Sequence, residues 1–334
     1  MFNRIIREYA LFKHLNKTFN LKYALGTIQF KIIRKLPLLK KNCDIFHHKT
    51  ILKYLAASFS GIINKFNDNQ YPKDNKEAGL IPPIIWLIWW DGIDNMPDII
   101  RACYYSLKKY AGSLEIRLID KNNVKNYITL PEHINKKFED KRISLTHLSD
   151  ILRVSLLAEY GGLYLDATVM VSDTITLNNG NFFTQKGQIS TDNVSHGQFA
   201  GIINKKISKS DISRWCGFIL AEKKNNVFFN YMKDFFYAYW EKYDELIDYF
   251  LIDYAIALGY ELIPQIRTML DNVPINNPNL YSLQNNLQCE YSADDYLQFC
   301  TNTIFHKLTW KVKYNKYRDD KNLSFFGYII NTLS

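Results

Sequence analysis

A chain of 334 residues and 39.3 kDa holds one large domain or two small ones, and 47% apolar against 22% charged residues excludes a disordered polymer. The formal charge of +9 is unevenly placed: residues 1–70 carry 13 Lys and Arg against 3 Asp and Glu, while the other 264 residues sum to −1. A near-neutral main body argues against nucleic acid as a partner and confines any attraction to anionic surfaces to the N-terminal segment.

Residues 1–66 read as helical, with Ile, Leu, Phe and Tyr recurring at three- and four-residue spacings between Lys and Arg. The polar stretch 67–79 reads as a linker. Ile84–Trp90 is a continuous apolar strand ended by Asp91-Gly92, suited to burial on both faces of a parallel sheet. A helix is expected over 98–110 and an alternating strand over Leu114–Ile119. This strand–helix–strand order opens a nucleotide-binding α/β fold. Thr146 is placed to cap a helix running to Tyr160 and closed by Gly161-Gly162, with a strand over Leu163–Val171. An irregular stretch (172–198), a strand at 199–203, helices over 226–241 and 244–260, a Pro/Asn loop (271–279) and a strand over Thr303–Thr309 complete the series. The expected division is a basic helical segment (1–70), an α/β domain (80–310) and a C-terminal tail (311–334).

Five cysteines without a CxxC pair argue against a disulfide framework or a structural zinc, and for a reducing, cytoplasmic setting. No cleavable signal peptide is expected, because Lys and Arg stud the first 30 residues. No uncharged apolar run approaches the roughly 18 residues that a membrane span needs.

The chemistry concentrates in Ser149–Thr168, SDILRVSLLAEYGGLYLDAT. Asp150 and Arg153, three apart on a helix, share a face. Tyr164, Asp166 and Thr168 alternate on the following strand and should project to one side. The Gly161-Gly162 turn folds helix and strand together, so an acid, a base and a strand-end carboxylate can meet in one cleft, where open α/β sheets bind ligands. Asp166 and Thr168 form a hard-oxygen pair able to hold a divalent ion. A strand end with a solvated Asp is the plain alternative.

This block resembles the donor-site core of GT-A glycosyltransferases with a DxD sugar-binding segment. Closest in pattern are the capsular polysaccharide synthesis glycosyltransferases, related to the initiating α-mannosyltransferases of yeast and the clostridial glucosylating toxins. IPPIIWLIWWDG (81–92) and DKNNVKNYI (120–128) resemble further segments of that family, over about residues 80–310 in all. The resemblance implies a GT-A, Rossmann-like α/β fold with a mixed central sheet. It implies a metal-dependent, retaining hexosyltransferase that uses a nucleotide-sugar, UDP-sugar favoured, with Mn²⁺ or Mg²⁺.

Residue by residue, the resemblance assigns nucleotide-sugar contacts to Trp89, Trp90, Asp150, Arg153, Tyr164 and Asp166. Trp89 would stack on the base or else pack in the core beside Trp86 and Trp90. Asp150 and Arg153 would touch sugar and ribose hydroxyls or else form a surface ion pair. Asp166, Thr168 and His306 are the expected metal ligands, with Thr168 replacing a second carboxylate and His306 alternatively structural. Lys307, or Lys311, would neutralise the departing diphosphate. Asp150, Arg153, Asp166 and Lys307 are thus the expected catalytic group. Asp248 and Asp253, in a segment that resembles a C-terminal family motif, are acceptor or donor contacts or packing residues. Trp215 and Trp240 are sugar platforms or core, core being favoured.

The implied acceptor is a polyprenyl-diphosphate-linked glycan or an oligosaccharide in bacterial capsule or surface-polysaccharide synthesis. The basic segment then serves as a peripheral anchor on the anionic inner membrane face, or else packs on the catalytic body. A toxin-like protein glycosyltransferase and an inactive sugar- or lipid-binding scaffold are the alternatives. The sequence leaves the oligomeric state undetermined.

Overall fold

A computed structural model describes residues 2–33, 40–67, 80–177, 182–186 and 215–333. Most of the expected linker and the strand expected at 199–203 lie outside the described residues. The N-terminal segment is helical as expected: α1 (Phe2–Thr18), α2 (Leu21–Ile33), α3 (Lys40–Ser58) and α4 (Ser60–Asn67). The body opens with β1 (Ile84–Ile88), α5 (Asp98–Tyr110), β2 (Glu115–Ile119), α6 (Glu132–Glu139), α7 (Leu145–Tyr160), β3 (Gly162–Leu165) and β4 (Val169–Val171). It continues with β5 (Phe183–Thr184), β6 (Ile219–Glu222), α8 (Val227–Lys242), α9 (Leu251–Leu262), α10 (Pro264–Asn272), α11 (Ser282–Asn286), α12 (Ala293–Cys300), β7 (Phe305–Lys307) and α13 (Phe325–Leu333).

Five strands form one mixed sheet in the order β2-β1-β3-β6-β5. The apolar strand β1 is an inner strand and pairs in parallel with β2 and β3, Ile85 opposite Leu163 and Trp86 opposite Tyr164. Strand β6 runs antiparallel to β3 and to β5. Alternation along β1 sends Trp86 to one face and Ile85 and Leu87 to the other. On the first face Trp86, Tyr164 and Leu220 join α7, α8 and α9 in one core. On the second, Ile85, Leu87, Leu163 and Leu165 meet α5 and α13 in another. The chain is therefore an α/β protein with helices on both faces of a mixed sheet, as its strand–helix–strand opening predicts.

Ser144 caps α7, its Oγ accepting from His147 N at 3.4 Å. The helix starts at Leu145, so the cap lies two residues before the expected Thr146. The closing Gly161-Gly162 turn requires glycine on two grounds. Both φ angles are positive, 68° and 100°, and a Cβ at Gly161 would lie 2.5 Å from Lys224 N, one at Gly162 2.6 Å from Ile84 O.

Two C-terminal features differ from expectation. The helix expected over 244–260 begins only at Leu251. The segment expected as a tail carries α13, whose Phe325, Phe326, Ile329 and Ile330 are buried against the second core. The N-terminal helices pack on α8, α9 and the connection between them: Tyr23 Oη donates to Ile247 O at 2.7 Å, Tyr54 and Tyr243 share a 2.7 Å hydroxyl bond, and Leu52, Leu55, Phe59 and Phe66 are buried. One face of the basic segment thus belongs to the body's core.

Candidate functional site

Strand β3 ends at Leu165, and Asp166–Thr168 forms a turn rather than the continuation of a strand to Val171. Val169 N donates to Asp166 O at 2.8 Å. Thr168 N and Oγ1 both donate to Asp166 Oδ1, at 3.0 and 2.5 Å. An Asp that bonds the backbone two residues on favours a turn over a ladder, so the expected strand breaks here into β3 and β4. Tyr164, Asp166 and Thr168 consequently do not share one strand face. Asp166 and Thr168 meet through the turn, whereas Tyr164 is buried in the sheet.

The turn receives its cation from far along the chain. Strand β7 pairs antiparallel with β4, Val169 opposite Lys307. The Lys307 ammonium donates to Asp166 Oδ1 at 3.0 Å and to Thr168 Oγ1, 5.0 Å from the centre of the Phe218 ring. Burial alone would raise the Asp166 pKa. The charges of Lys307 and Arg153 and the bonds from Thr168 outweigh it and hold the carboxyl well below the usual range.

Strand alternation turns His306 to the opposite face from Lys307. His306 is fully buried, its Nε2 3.0 Å from Ser172 Oγ and 3.8 Å from Cys300 Sγ. Burial lowers its pKa to about 4, so the ring is neutral at pH 7. The expected place of His306 beside Asp166 is corrected by this geometry: its neighbours are Ser172 and Cys300.

Helix α7 delivers Asp150 and Arg153 from the other side. They form a 2.9 Å ion pair with side chains only 6% exposed, so the surface-pair alternative falls. Arg153 also donates to Ser149 O at 3.3 Å and to Gly217 O, and its guanidinium lies 4.6 Å from the centre of the Tyr164 ring. Tyr164 is therefore the floor beneath Arg153, not an aromatic open to the cleft. Burial raises the Asp150 pKa against the opposing pull of Arg153.

Of Asp248 and Asp253 in the 244–260 segment, one belongs here. Asp253, half-buried in the first turn of α9, has its carboxyl pushed up to about 7 by burial and by the charge of Asp150, with Arg153 opposing. Its neighbour Ile252 packs on Gly217, whose carbonyl receives Arg153. Asp248 faces elsewhere: its Oδ1 accepts from Phe250 N at 2.9 Å and its Oδ2 lies 4.0 Å from His47 of α3.

The tryptophans divide by face. Trp89, just past β1, meets Trp310 edge-on with ring centres 5.9 Å apart. Trp310 is 47% exposed, and its position after β7 was not anticipated from sequence. The pairing is between segments 221 residues apart, and no local pattern marks it. Trp90 packs on Phe138 of α6. Trp215 is buried beside Tyr260, and Trp240 is wholly buried, both as core residues. Lys311 is exposed.

Residues 32–329 match the family described as capsular polysaccharide synthesis protein. The chain belongs to this family. Membership bears out the resemblance to capsular polysaccharide synthesis proteins. Among solved structures the chain is similar to PaToxG Glycosyltransferase, at 16% identity and a TM-score of 0.37, covering 67% of this chain and 83% of that one. No curated protein matches it.

The Mn²⁺ or Mg²⁺ expected in this capsular synthesis protein can be tested against the donors present. Asp166 is the one carboxylate at the turn, and its Oδ1 already takes three hydrogen bonds. The Thr168 hydroxyl donates to that oxygen and accepts from Lys307. His306 is turned away. Among the described residues no three His, Cys, Asp or Glu side chains gather as a metal site. Divalent ions of this type prefer several carboxylate or carbonyl oxygens, and this donor set does not fit one.

Proposed function

We propose that this protein transfers a hexose from a nucleoside-diphosphate sugar, UDP-sugar favoured, to a glycan hydroxyl in capsule or other surface-polysaccharide synthesis, with retention of anomeric configuration. The observation that carries this reading is the convergence of Asp150–Arg153 on α7, the Asp166–Thr168 turn and Lys307 on β7 at the C-terminal end of β3, where open α/β sheets bind nucleotides. In this reading Arg153 and Asp150 orient the sugar and ribose hydroxyls, and Trp89, paired with Trp310, offers a face to the base.

Charge develops on the diphosphate as its bond to the anomeric carbon breaks and the electron pair passes to the phosphate oxygen. The acceptor oxygen bonds to that carbon on the same face and loses its proton to the departing phosphate. Lys307 faces that oxygen in a half-buried setting where a fixed cation counts for more than in water. Asp253 lines the same cleft as a sugar-hydroxyl partner. The test is a hydrolysis screen over UDP- and GDP-sugars, with Mn²⁺ and separately with EDTA. Turnover of one donor by the wild type and its loss in Asp166→Asn is the expected result; no hydrolysis of any donor contradicts the reading.

The acceptor proposed is a lipid-linked glycan met at an anionic membrane surface. No helix among the described residues is long and apolar enough to cross a membrane. Support for a peripheral seat comes from the outward side of α2, where Leu21, Leu25 and Ile32 fall on one helical stripe and are each more than half exposed. On α1, Ile6 and Tyr9 are likewise exposed, beside Lys13 and Lys17. Apolar side chains between lysines suit the headgroup boundary, at about 1 kcal/mol per well-placed cation. Cosedimentation of the full chain with phosphatidylglycerol vesicles, lost in Leu25→Glu/Ile32→Glu, is the expected outcome; equal binding by the variant would remove this surface from the account.

A further inference from the structure

The Asp166 turn poses a charge problem that its own strand does not solve. A nucleoside diphosphate brings two or more negative charges to a turn already holding a carboxylate. The arrangement implied by the resemblance answers with a divalent ion held by two carboxylates, a site that is neutral before the donor arrives. Here Thr168 stands in place of the second carboxylate, which removes one negative charge. A monovalent cation then restores the same neutrality, and Lys307 supplies it: its Nζ bonds both Asp166 Oδ1, at 3.0 Å, and Thr168 Oγ1.

The seating of that ammonium is built into the fold. The Val169–Lys307 register fixes the strand, Lys307 N donates to Leu280 O at 2.9 Å, and Leu308 N donates to Thr168 O at 2.8 Å. The stem passes the Phe218 ring, and the side chain keeps 21% of its surface exposed. An ammonium has three hydrogens; among the described residues two are taken, by Asp166 and Thr168. That leaves one hydrogen and the exposed edge for a further partner. Meanwhile Thr168 Oγ1 and Asp166 Oδ1, which would otherwise be metal ligands, are bonded to this ammonium.

We infer that Lys307, held by Asp166 and Thr168, takes the place of the divalent cation, so that the diphosphate of the donor is bound without a metal ion. The inference rests on the proposed nucleotide-sugar reading and adds to it what neutralises the leaving group.

The test is calorimetric binding of UDP and GDP to the full chain, in EDTA and in Mn²⁺. The expected result is that the better nucleotide binds with an affinity that differs less than threefold between the two conditions. Lys307→Met should weaken that binding at least tenfold in EDTA, and Lys307→Arg should recover part of it. Circular dichroism melting confirms that the variants fold; the wild-type comparison stands without them. A tenfold or greater gain on adding Mn²⁺, or full affinity in a folded Lys307→Met, overturns the inference and leaves the donor reading intact. Binding of neither nucleotide in either condition overturns both.

Discussion

Two carboxylate–cation pairs meet at the end of β3, and they differ in burial. Asp150 and Arg153 are locked in: each side chain is 6% exposed, and the guanidinium is bonded to Asp150, Ser149 O and Gly217 O over Tyr164. Asp166 and Lys307 keep 27% and 21% of their surfaces open. A buried pair rarely adds net stability, yet breaking it is costly because the survivor keeps an uncompensated charge. A half-open pair can exchange partners with a ligand. The first pair therefore shapes the site, and the second is the one able to answer charge that develops during reaction.

The contrast breaks most visibly through Asp150. Asp150→Ala leaves Arg153 buried without its carboxylate and should cost about 3–5 kcal/mol in urea unfolding; a cost below about 1 kcal/mol would erase the distinction between the pairs. Asp166→Asn should cost less, about 2 kcal/mol, while lowering donor turnover by at least about 100-fold. The stabilising share of Asp166 has a defined pH window. Its folded pKa lies below the ordinary 3.8, so that share is present above about pH 4 and is lost as pH falls further.

Asp253 sharpens the comparison with the opposite sign. Its pKa is raised from 3.8 to about 7, so the folded state holds the proton more tightly than the unfolded one. Its contribution falls as pH rises from about 4 to about 7 and stays lost above. Asp253→Asn should thus melt higher relative to wild type at pH 8 than at pH 5, read by thermal unfolding at both. The smallest effect belongs to an exposed pair far from the site. Lys65 and Asp234, 2.6 Å apart at 57% and 29% exposure, should change stability by no more than about 1 kcal/mol in Lys65→Ala.

The first half of the body was legible because its signals are local. The apolar run of β1, the alternation of β2 and the glycine turn after α7 each fix an element within a few residues. The Asp150–Arg153 face follows from helical spacing alone. What sequence could not supply is pairing at a distance. Lys307 reaches Asp166 only through the β4–β7 ladder, 141 residues away, and that same register turns the adjacent His306 to the far side. The D-A-T segment reads as strand by alternation, but the side-chain bonds of Asp166 make it a turn. Helix α13 was missed because FFGYIINTL is apolar nearly all round, the mark of a buried helix, not of an amphipathic surface one.

The central claim is one of place: the donor binds where α7, the Asp166 turn and β7 meet. Hydrogen–deuterium exchange of the full chain with and without the preferred nucleoside diphosphate tests it most directly. The account predicts slowed exchange in 89–92, 149–153, 164–172, 215–219 and 303–310, with the rest unchanged. Protection confined to Ile81, Leu163 and Ile175, which line a separate cavity, with 164–172 and 307–310 unchanged, would contradict it.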